Sequence, residues 1–523
     1  MGSNDVLARS VMVAGALLIA AFYTYLGLHN PYVGFLADDA LYLLMADIYS
    51  PYHDALLPVY NHIRDHSQLP PLFPLLLGLL GAGTDNLAAA RICVAGFMIG
   101  AHVLFYLWLR SGAVPRRHAL PIFVLQALLP ITLIYSVDLW SEGLYLCYTF
   151  LALIAFRYAE KMRFTMVSCL AVGIVVGCAI ATRTVGFALV PAMLLLCYRS
   201  NIKSALLMGA SLVLFLLLIA QLDMGGMGVS YSDLLRSGFG EEPFATVIIH
   251  LGSAATAAWN AFAYDLFQWR EPGIGQGIIL AGLLGLAIIG LAASMQHAPY
   301  AAIYLSGYCA IIALWPFPEI MNRLVFTILP LWFYFAYQGV VVASARLKLK
   351  NDTGPILLIA AIVVLAAPSL LGSARQLMRT FPNKAFESFR TTRYWIDATR
   401  ERSGMKELRY LKTLSNAAAD VTRHVPAHEC IHTVVPNIIL AKSKRIAWLP
   451  LSEAAIRAGD LGRCRYYFSI ATTTHGRRPM FPYSIIKNQV DVVAIYRPAD
   501  IPSTAHEAEI AGILFVRRPL PLP

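Results

Sequence analysis

Eleven stretches dominated by apolar residues divide the first 372 residues of this chain, and they limit what it can fold into. They cover residues 11–28, 87–109, 119–137, 143–158, 164–181, 184–198, 204–222, 276–294, 298–315, 324–343 and 354–372. A helix needs roughly 17–25 apolar residues to cross about 30 Å of hydrocarbon, and several of these runs sit at the lower end. A water-soluble core does not call for so many in succession. A bilayer does, because a segment in lipid must satisfy its backbone groups internally, and an apolar helix does so. The composition agrees: 58% of the residues are hydrophobic and 14% charged, against roughly 25% charged in a soluble domain. The expected fold class is mainly α: a polytopic transmembrane bundle of about eleven spans with a small C-terminal extracytoplasmic α/β domain.

Charge marks the boundary between the two parts. Residues 1–372 contain 18 Lys/Arg and 18 Asp/Glu, whereas residues 373–523 contain 23 against 12 and carry the whole net charge of +11. The domains are therefore expected at 1–372, with long outer loops at 29–86 and 223–275, and at 373–523. A basic domain is suited to nucleic acid, an anionic membrane surface or anionic glycans, or is simply a solvated basic surface. Within it, residues 384–402 and 406–423 have helical patterns, and 430–440, 464–471, 490–497 and 511–517 are short β-rich runs. Arg375, Arg379, Arg390 and Arg393 follow the last span, within reach of lipid phosphates. Six cysteines lie in apolar segments and are expected to be core residues. Cys430 and Cys464 are the two in the basic domain, free to pair in an oxidising compartment.

Loop charges set the orientation. With the N-terminus in the cytoplasm, the inner loops hold Arg110, Arg116, Arg117, Arg157, Lys161, Arg163, Arg199, Lys203, Arg346, Lys348 and Lys350. The outer loops hold Asp38, Asp39, Asp47, Asp54, Asp65, Asp138, Glu142, Asp233, Glu241, Glu242, Asp265 and Glu319. This is the positive-inside distribution. It puts residues 373–523 outside the cytoplasm, away from nucleic acid. The first apolar run reads as a retained span, not a cleaved leader, since it continues straight into an acidic loop. The apolar stretch ending at Leu80 is too short to span and is expected along the interface. The pair 164–181 and 184–198, with Arg183 between, fits a hairpin or a broken helix.

Four clusters fall on the outer side. The first is the acidic pair Asp38-Asp39, with Tyr42 four residues after Asp38. A carboxylate at a membrane surface is costly, and one of these can take a proton from an acceptor hydroxyl while the other binds a cation or orients the acceptor. The alternative is two acids at the N-terminus of a helix over Ala40–Ile48, where the macrodipole favours them. The second cluster is Asp138-Leu139-Trp140-Ser141-Glu142, which also reads as a polar loop with an aromatic-belt residue. The third is Thr182-Arg183-Thr184. Arg183 has as candidate partners Asp38, Asp39 or Glu142, or a phosphate, which its fork of donors matches. The fourth is the run from Trp315 to Arg323, where Arg323 snorkels or binds a lipid phosphate.

These residues resemble the GT-C superfamily of polytopic glycosyltransferases, among them the lipid A aminoarabinose transferase and the protein O-mannosyltransferases. The matches follow chain order. Asp38-Asp39 with Tyr42 lies in the first outer loop, Pro70-Pro71-Leu72 near its end, Ser141-Glu142 with Leu144-Tyr145 next, then Thr182-Arg183 with Gly186, then Arg323 before a span with Pro330. Leu41 and Leu69 stand where the aminoarabinose branch tends to carry basic or polar residues. The resemblance implies a sugar donor on a polyprenyl phosphate, membrane lipids around its tail, and a glycolipid, polysaccharide or protein acceptor at the outer face of a bacterial inner membrane. It implies Asp38 as general base, Asp39 and Glu142 positioning acceptor or cation, and Arg183 and Arg323 on the departing phosphate. A divalent cation (Mg, Mn or Ca) on Asp38, Asp39 or Glu142 is left open. No nucleotide cofactor is needed, and no P-loop or dinucleotide-binding signature is present.

Other classes compete. A lipid-linked glycan transporter or flippase places ionisable groups inside its spans near the midplane, whereas these spans are nearly free of charge. An O-antigen ligase or polymerase relies on arginines of a large outer loop, for which Arg236 and Arg270 qualify. A non-enzymatic assembly protein is the last alternative.

Overall fold

The structure is a computed structural model. It describes residues 3–28, 33, 38–53, 57–66, 69–111, 114–222, 243–266, 274–315, 321–349, 352–380, 413–433, 436–448, 462–470, 489–496 and 512–518. Among the expectations above, those for Asp54, Asp233, Arg236, Glu241, Glu242, Arg270, Glu319, Lys350, residues 384–402, Arg390 and Arg393 fall outside these residues. So do those for the side chains of Asp65, Asp265, Arg375 and Arg379.

The chain is mostly helical. Each apolar run lies on a helix: α1 Ser3–Leu28, α5 Leu87–Ser111, α6 Arg116–Leu128 with α7 Pro130–Val137, α8 Glu142–Lys161, α9 Met166–Thr182, α10 Val190–Arg199, α11 Ile202–Leu222, α13 Ile274–His297, α14 Pro299–Ala313, α15 Met321–Arg346 and α16 Thr353–Thr380. By their described residues, four of these helices are long and apolar enough to cross a membrane, or five if the pair α6–α7, bent by 61°, counts as one span. Others, such as α9 and α14, are apolar but shorter. The bend follows from Pro130, whose ring cannot continue the α6 ladder. The first outer loop is itself helical: α2 Asp38–Tyr49, α3 Pro58–His66 and α4 Leu72–Leu79, the last in the stretch expected at the interface. In the expected loop 223–275 the structure differs. Residues 243–260 form helix α12 and Ala261–Leu266 a π-turn, with Ala261, Phe262 and Ala263 in the core and Phe262 packed on Trp332.

Small residues let the helices approach. A Cβ on Gly290 of α13 would collide with the Phe335 carbonyl of α15, and one on Gly339 with the Leu286 carbonyl. Of the four long apolar helices the most buried is α15, packed against α13, α14 and α16. The basic ends of α5, α8 and α10 gather together. Arg157 donates to Ser111 Oγ (3.0 Å) and lies over Trp108, and Arg199 donates to Glu160 (3.3 Å). Glu142 lies at the other end of α8, about 27 Å away at 1.5 Å per residue.

The C-terminal part contains a five-stranded sheet, ordered β2-β1-β3-β5-β4. Its strands are β1 Cys430–Thr433, β2 Ile446–Trp448, β3 Tyr466–Ile470, β4 Val490–Tyr496 and β5 Gly512–Arg517. The β1–β2 and β1–β3 pairs are parallel; β5 is antiparallel to both neighbours. The expected run 430–440 is a strand only to Thr433. From Pro436 to Ser443 it is a helix, α17, begun by a proline already fixed at helical φ. Strand β2 falls in a stretch with no such expectation. Cys430 and Cys464 form a disulfide linking β1 to the segment entering β3. The six other cysteines are free.

Candidate active site

Four chain segments meet where α2, α8, α9 and α15 begin or end. Asp38 and Asp39 occupy the first turn of α2, where the exposed N–H groups favour negative charge. Glu142 opens α8, Arg183 follows α9, and Arg323 lies in the first turn of α15. Arg183 has extended backbone, where the chain leaves α9 and turns into a 3₁₀ helix at Thr184–Leu189. Gly186 permits that turn, because a Cβ there would meet the Ala179 carbonyl at 2.7 Å. The hairpin reading of this segment is the one observed: Arg183 lies beside Glu142 at the start of α8, and α10 returns to place Arg199 beside Glu160 at its other end.

The side chains converge. Arg323 donates through Nη1 to Asp38 Oδ2 (2.5 Å) and through Nε to Glu142 Oε1 (2.6 Å). Arg183 Nη1 pairs with the same Glu142 oxygen. Glu142 is fully buried, and its other oxygen, Oε2, has no hydrogen-bond partner among the described residues. Asp38 keeps about a quarter of its side chain exposed. The Arg323 guanidinium lies 4.7 Å over the Trp140 ring, and Trp140 is held by Tyr135, which stacks on Phe326 one turn along α15. Two carboxylates and two guanidinium groups thus balance one another in a largely buried cluster, the condition under which buried charge is tolerated.

Tyr42 is adjacent, hydrogen-bonded to Ser141 Oγ (3.1 Å) and edge-on to Phe73 of the Pro-Pro-Leu segment. Burial, with the Asp38 carboxylate beside it, pushes its phenol above the usual tyrosine range, so it keeps its proton. Asp39 turns elsewhere. It is buried, accepts the Ala40 N–H, and its charge acts on Lys442 of α17. The structure therefore brings Asp38, Glu142, Arg183 and Arg323 together, with Tyr42 at the edge, and directs Asp39 toward the C-terminal domain.

Sequence reasoning missed the wall behind the arginines. Tyr304 and Tyr308 of α14 are buried. Tyr304 hydrogen-bonds Tyr145 (2.9 Å), and Tyr308 hydrogen-bonds Thr327 (2.5 Å) and the Leu324 carbonyl, holding the start of α15. The sequence signal is tyrosine at 300, 304 and 308, one per helical turn on one face.

A divalent cation does not suit these donors. Among the described residues no three His, Cys, Asp or Glu side chains gather. Asp38 and Glu142 each face an arginine, and Asp39 is near Lys442, so no step is derived through a metal.

The fold is shared with solved membrane-protein structures. Among solved structures it is similar to ArnT from Cupriavidus metallidurans in the apo state (TM-score 0.51, 13% identity, 98% of each chain covered) and bound to undecaprenyl phosphate (TM-score 0.50, 13% identity, 98% of each). A third similar structure is the oligosaccharyltransferase AglB from Archaeoglobus fulgidus with an inhibitory peptide and dolichol-phosphate (TM-score 0.48, 12% identity, 95% of this chain and 75% of that one). No protein-family profile and no curated protein sequence matches the chain.

Proposed function

We propose that this chain is a membrane glycosyltransferase that moves a sugar from a polyprenyl-phosphate donor to a hydroxyl acceptor at the non-cytoplasmic face. The observation that carries the reading is the Asp38–Arg323–Glu142–Arg183 cluster, set at one end of a fold similar to that of ArnT, a protein whose structure is known with undecaprenyl phosphate bound. The basic helix ends at the opposite end of the bundle support a cytoplasmic placement for that end.

In this mechanism the acceptor oxygen attacks the anomeric carbon as the bond from that carbon to the phosphate oxygen breaks. Asp38, the partly exposed acid, takes the acceptor's proton. The departing lipid phosphate gains charge, and Arg183 and Arg323 offset it with donors fixed beforehand by Glu142 and Trp140. Single displacement inverts the anomeric centre. The Asp38–Arg323 pair adds an order to the events: an incoming phosphate competes for Arg323 and frees the Asp38 carboxylate to act as a base.

The acceptor is a glycolipid, polysaccharide or protein hydroxyl, and the protein resides in the inner membrane of a bacterium. The test supplies the purified protein in nanodiscs with a panel of undecaprenyl-phosphate sugars and follows release of undecaprenyl phosphate together with mass gained by a co-purified glycolipid. Turnover of one donor is expected. No release from any donor, with movement of intact donor between leaflets when the protein is placed in sealed vesicles, overturns the reading in favour of a flippase.

A further inference from the structure

A second polar cluster lies at the far end of the helix that carries Asp38. Asp47, near the C-terminus of α2, is buried. Its Oδ1 accepts the Thr84 N–H (2.9 Å), and its Oδ2 accepts the Thr84 hydroxyl (2.5 Å), the Tyr60 hydroxyl (3.1 Å) and the Lys444 ammonium (3.1 Å). Lys444 also donates to Thr84 Oγ1 and to the Tyr60 hydroxyl (3.2 Å), and His53 Nε2 lies 2.8 Å from that hydroxyl. Four segments, α2, α3, the turn before α5 and the C-terminal domain, meet on one carboxylate. Packing is continuous around it: Leu44, Met45, Val59, Tyr60 and Ile63 share one hydrophobic cluster with Ile438 and Ile439 of α17 and with the sheet.

Lys444 sits in an unusual conformation for its type. It follows the last residue of α17 and has φ +54°, the left-handed position at which helices usually end in glycine. A cap alone is served better by glycine. What lysine adds is the ammonium that reaches Asp47. Two residues earlier, Lys442 lies within electrostatic reach of Asp39 at the other end of α2, and Ala441 packs in one cluster with Ala40, Tyr42 and Leu139. The C-terminal domain thus holds α2 at two points, about 12 Å apart at 1.5 Å per residue.

We propose that Asp47 and Lys444 are positioning residues for sugar transfer, through which the C-terminal domain fixes the helix bearing Asp38. This rests on the glycosyltransferase reading above. The domain then works as part of the active site although it supplies none of the four clustered side chains. A base displaced by about 1 Å loses on the order of 100-fold in rate, so an α2 free to tilt carries Asp38 out of register while Arg183 and Arg323 still hold phosphate.

The test uses the full chain in nanodiscs, with Lys444→Gly, Lys444→Arg and Asp47→Asn. Three quantities are read: kcat and KM with the donor the wild type turns over, binding of undecaprenyl phosphate alone, and hydrogen exchange of the amides of residues 38–49. Lys444→Gly removes the ammonium while offering the cap its preferred residue. It is expected to lower kcat at least about tenfold, leave undecaprenyl phosphate binding within about twofold, and speed exchange in α2. Lys444→Arg restores most of kcat. A Lys444→Gly protein with wild-type kcat and wild-type exchange overturns the inference, since a capping role alone predicts that result. A wild type that turns over no donor defeats the glycosyltransferase reading instead, and the exchange measurement still decides whether the pair holds α2.

Discussion

Arg323 and Asp38 are separated by 285 positions in the sequence, yet their Nη1 and Oδ2 atoms are 2.5 Å apart. The same guanidinium reaches Glu142 with its Nε. One planar group with donors in two directions makes both contacts, which a single ammonium on a flexible stem does less well.

Arg323→Lys is therefore expected to be far from conservative. Lysine keeps the charge and loses the second directed bond and the broad contact with Trp140. Transfer activity should fall on the order of 100-fold, the usual scale for removing one preorganised donor at a developing anion. Steady-state kinetics with the preferred donor check this. A variant within about twofold of wild type contradicts the role given to the arginine.

Glu142 has a different task. It is fully buried between Arg183 and Arg323, so Glu142→Gln leaves two guanidinium groups short of their counter-charge. Breaking a buried pair from one side costs about 3–5 kcal/mol. The variant is expected to melt earlier and to lose activity, and a thermal unfolding series in nanodiscs reads the first effect independently of the second.

Much of this was legible in the sequence, for a physical reason. A charged residue at the edge of an apolar run stands out, and Glu142, Arg183 and Arg323 each flank one, while Asp38 stands out as half of an acidic pair in the first outer loop. Their pairings were not legible, because contacts across 181 or 285 positions leave no local pattern. Residue type alone does not separate the two adjacent acids; the family resemblance implies Asp38 as the base and Asp39 as a positioning group. On a helix, neighbours point about 100° apart, and here Asp38 faces Arg323 while Asp39 faces the C-terminal domain. The helical runs were clear from apolarity, and by their described residues four helices are long and apolar enough to span, or five if the bent pair α6–α7 is one span. In the C-terminal domain, residues 436–443 are β-rich by type and helical in fact, since Pro436 and tertiary packing outweigh a weak strand propensity.

The disulfide should carry much of that domain's stability. Cys430 and Cys464 enclose a loop of 34 positions, for which loop-closure entropy gives about 3–4 kcal/mol. The double variant Cys430→Ser/Cys464→Ser is expected to lower the denaturant midpoint of the C-terminal domain, followed by hydrogen exchange of β1 and β3. Unchanged exchange contradicts this.

The contact between α2, α3 and the C-terminal domain should weaken in alkali. Burial, with the Asp47 carboxylate next, holds the Tyr60 phenol above the ordinary tyrosine value of about 10. A raised pKa means the folded form keeps a proton that the unfolded form gives up. The stabilisation is complete below about pH 10 and declines as pH rises through the folded value. Melting of the full chain between about pH 8 and 11 should steepen above pH 10 in the wild type and flatten in Tyr60→Phe. Equal slopes contradict the assignment.

The central claim is that Asp38 takes the acceptor's proton in a transfer from a lipid phosphate, and Asp38→Asn tests it most directly. The variant keeps the shape and can still accept from Arg323, so it is expected to insert, fold and bind undecaprenyl phosphate as the wild type does. Release of undecaprenyl phosphate from the preferred sugar donor should fall by at least about a thousandfold, within the usual range of roughly 100- to 10,000-fold for loss of a positioned base. An Asp38→Asn protein that transfers sugar at close to the wild-type rate contradicts the account.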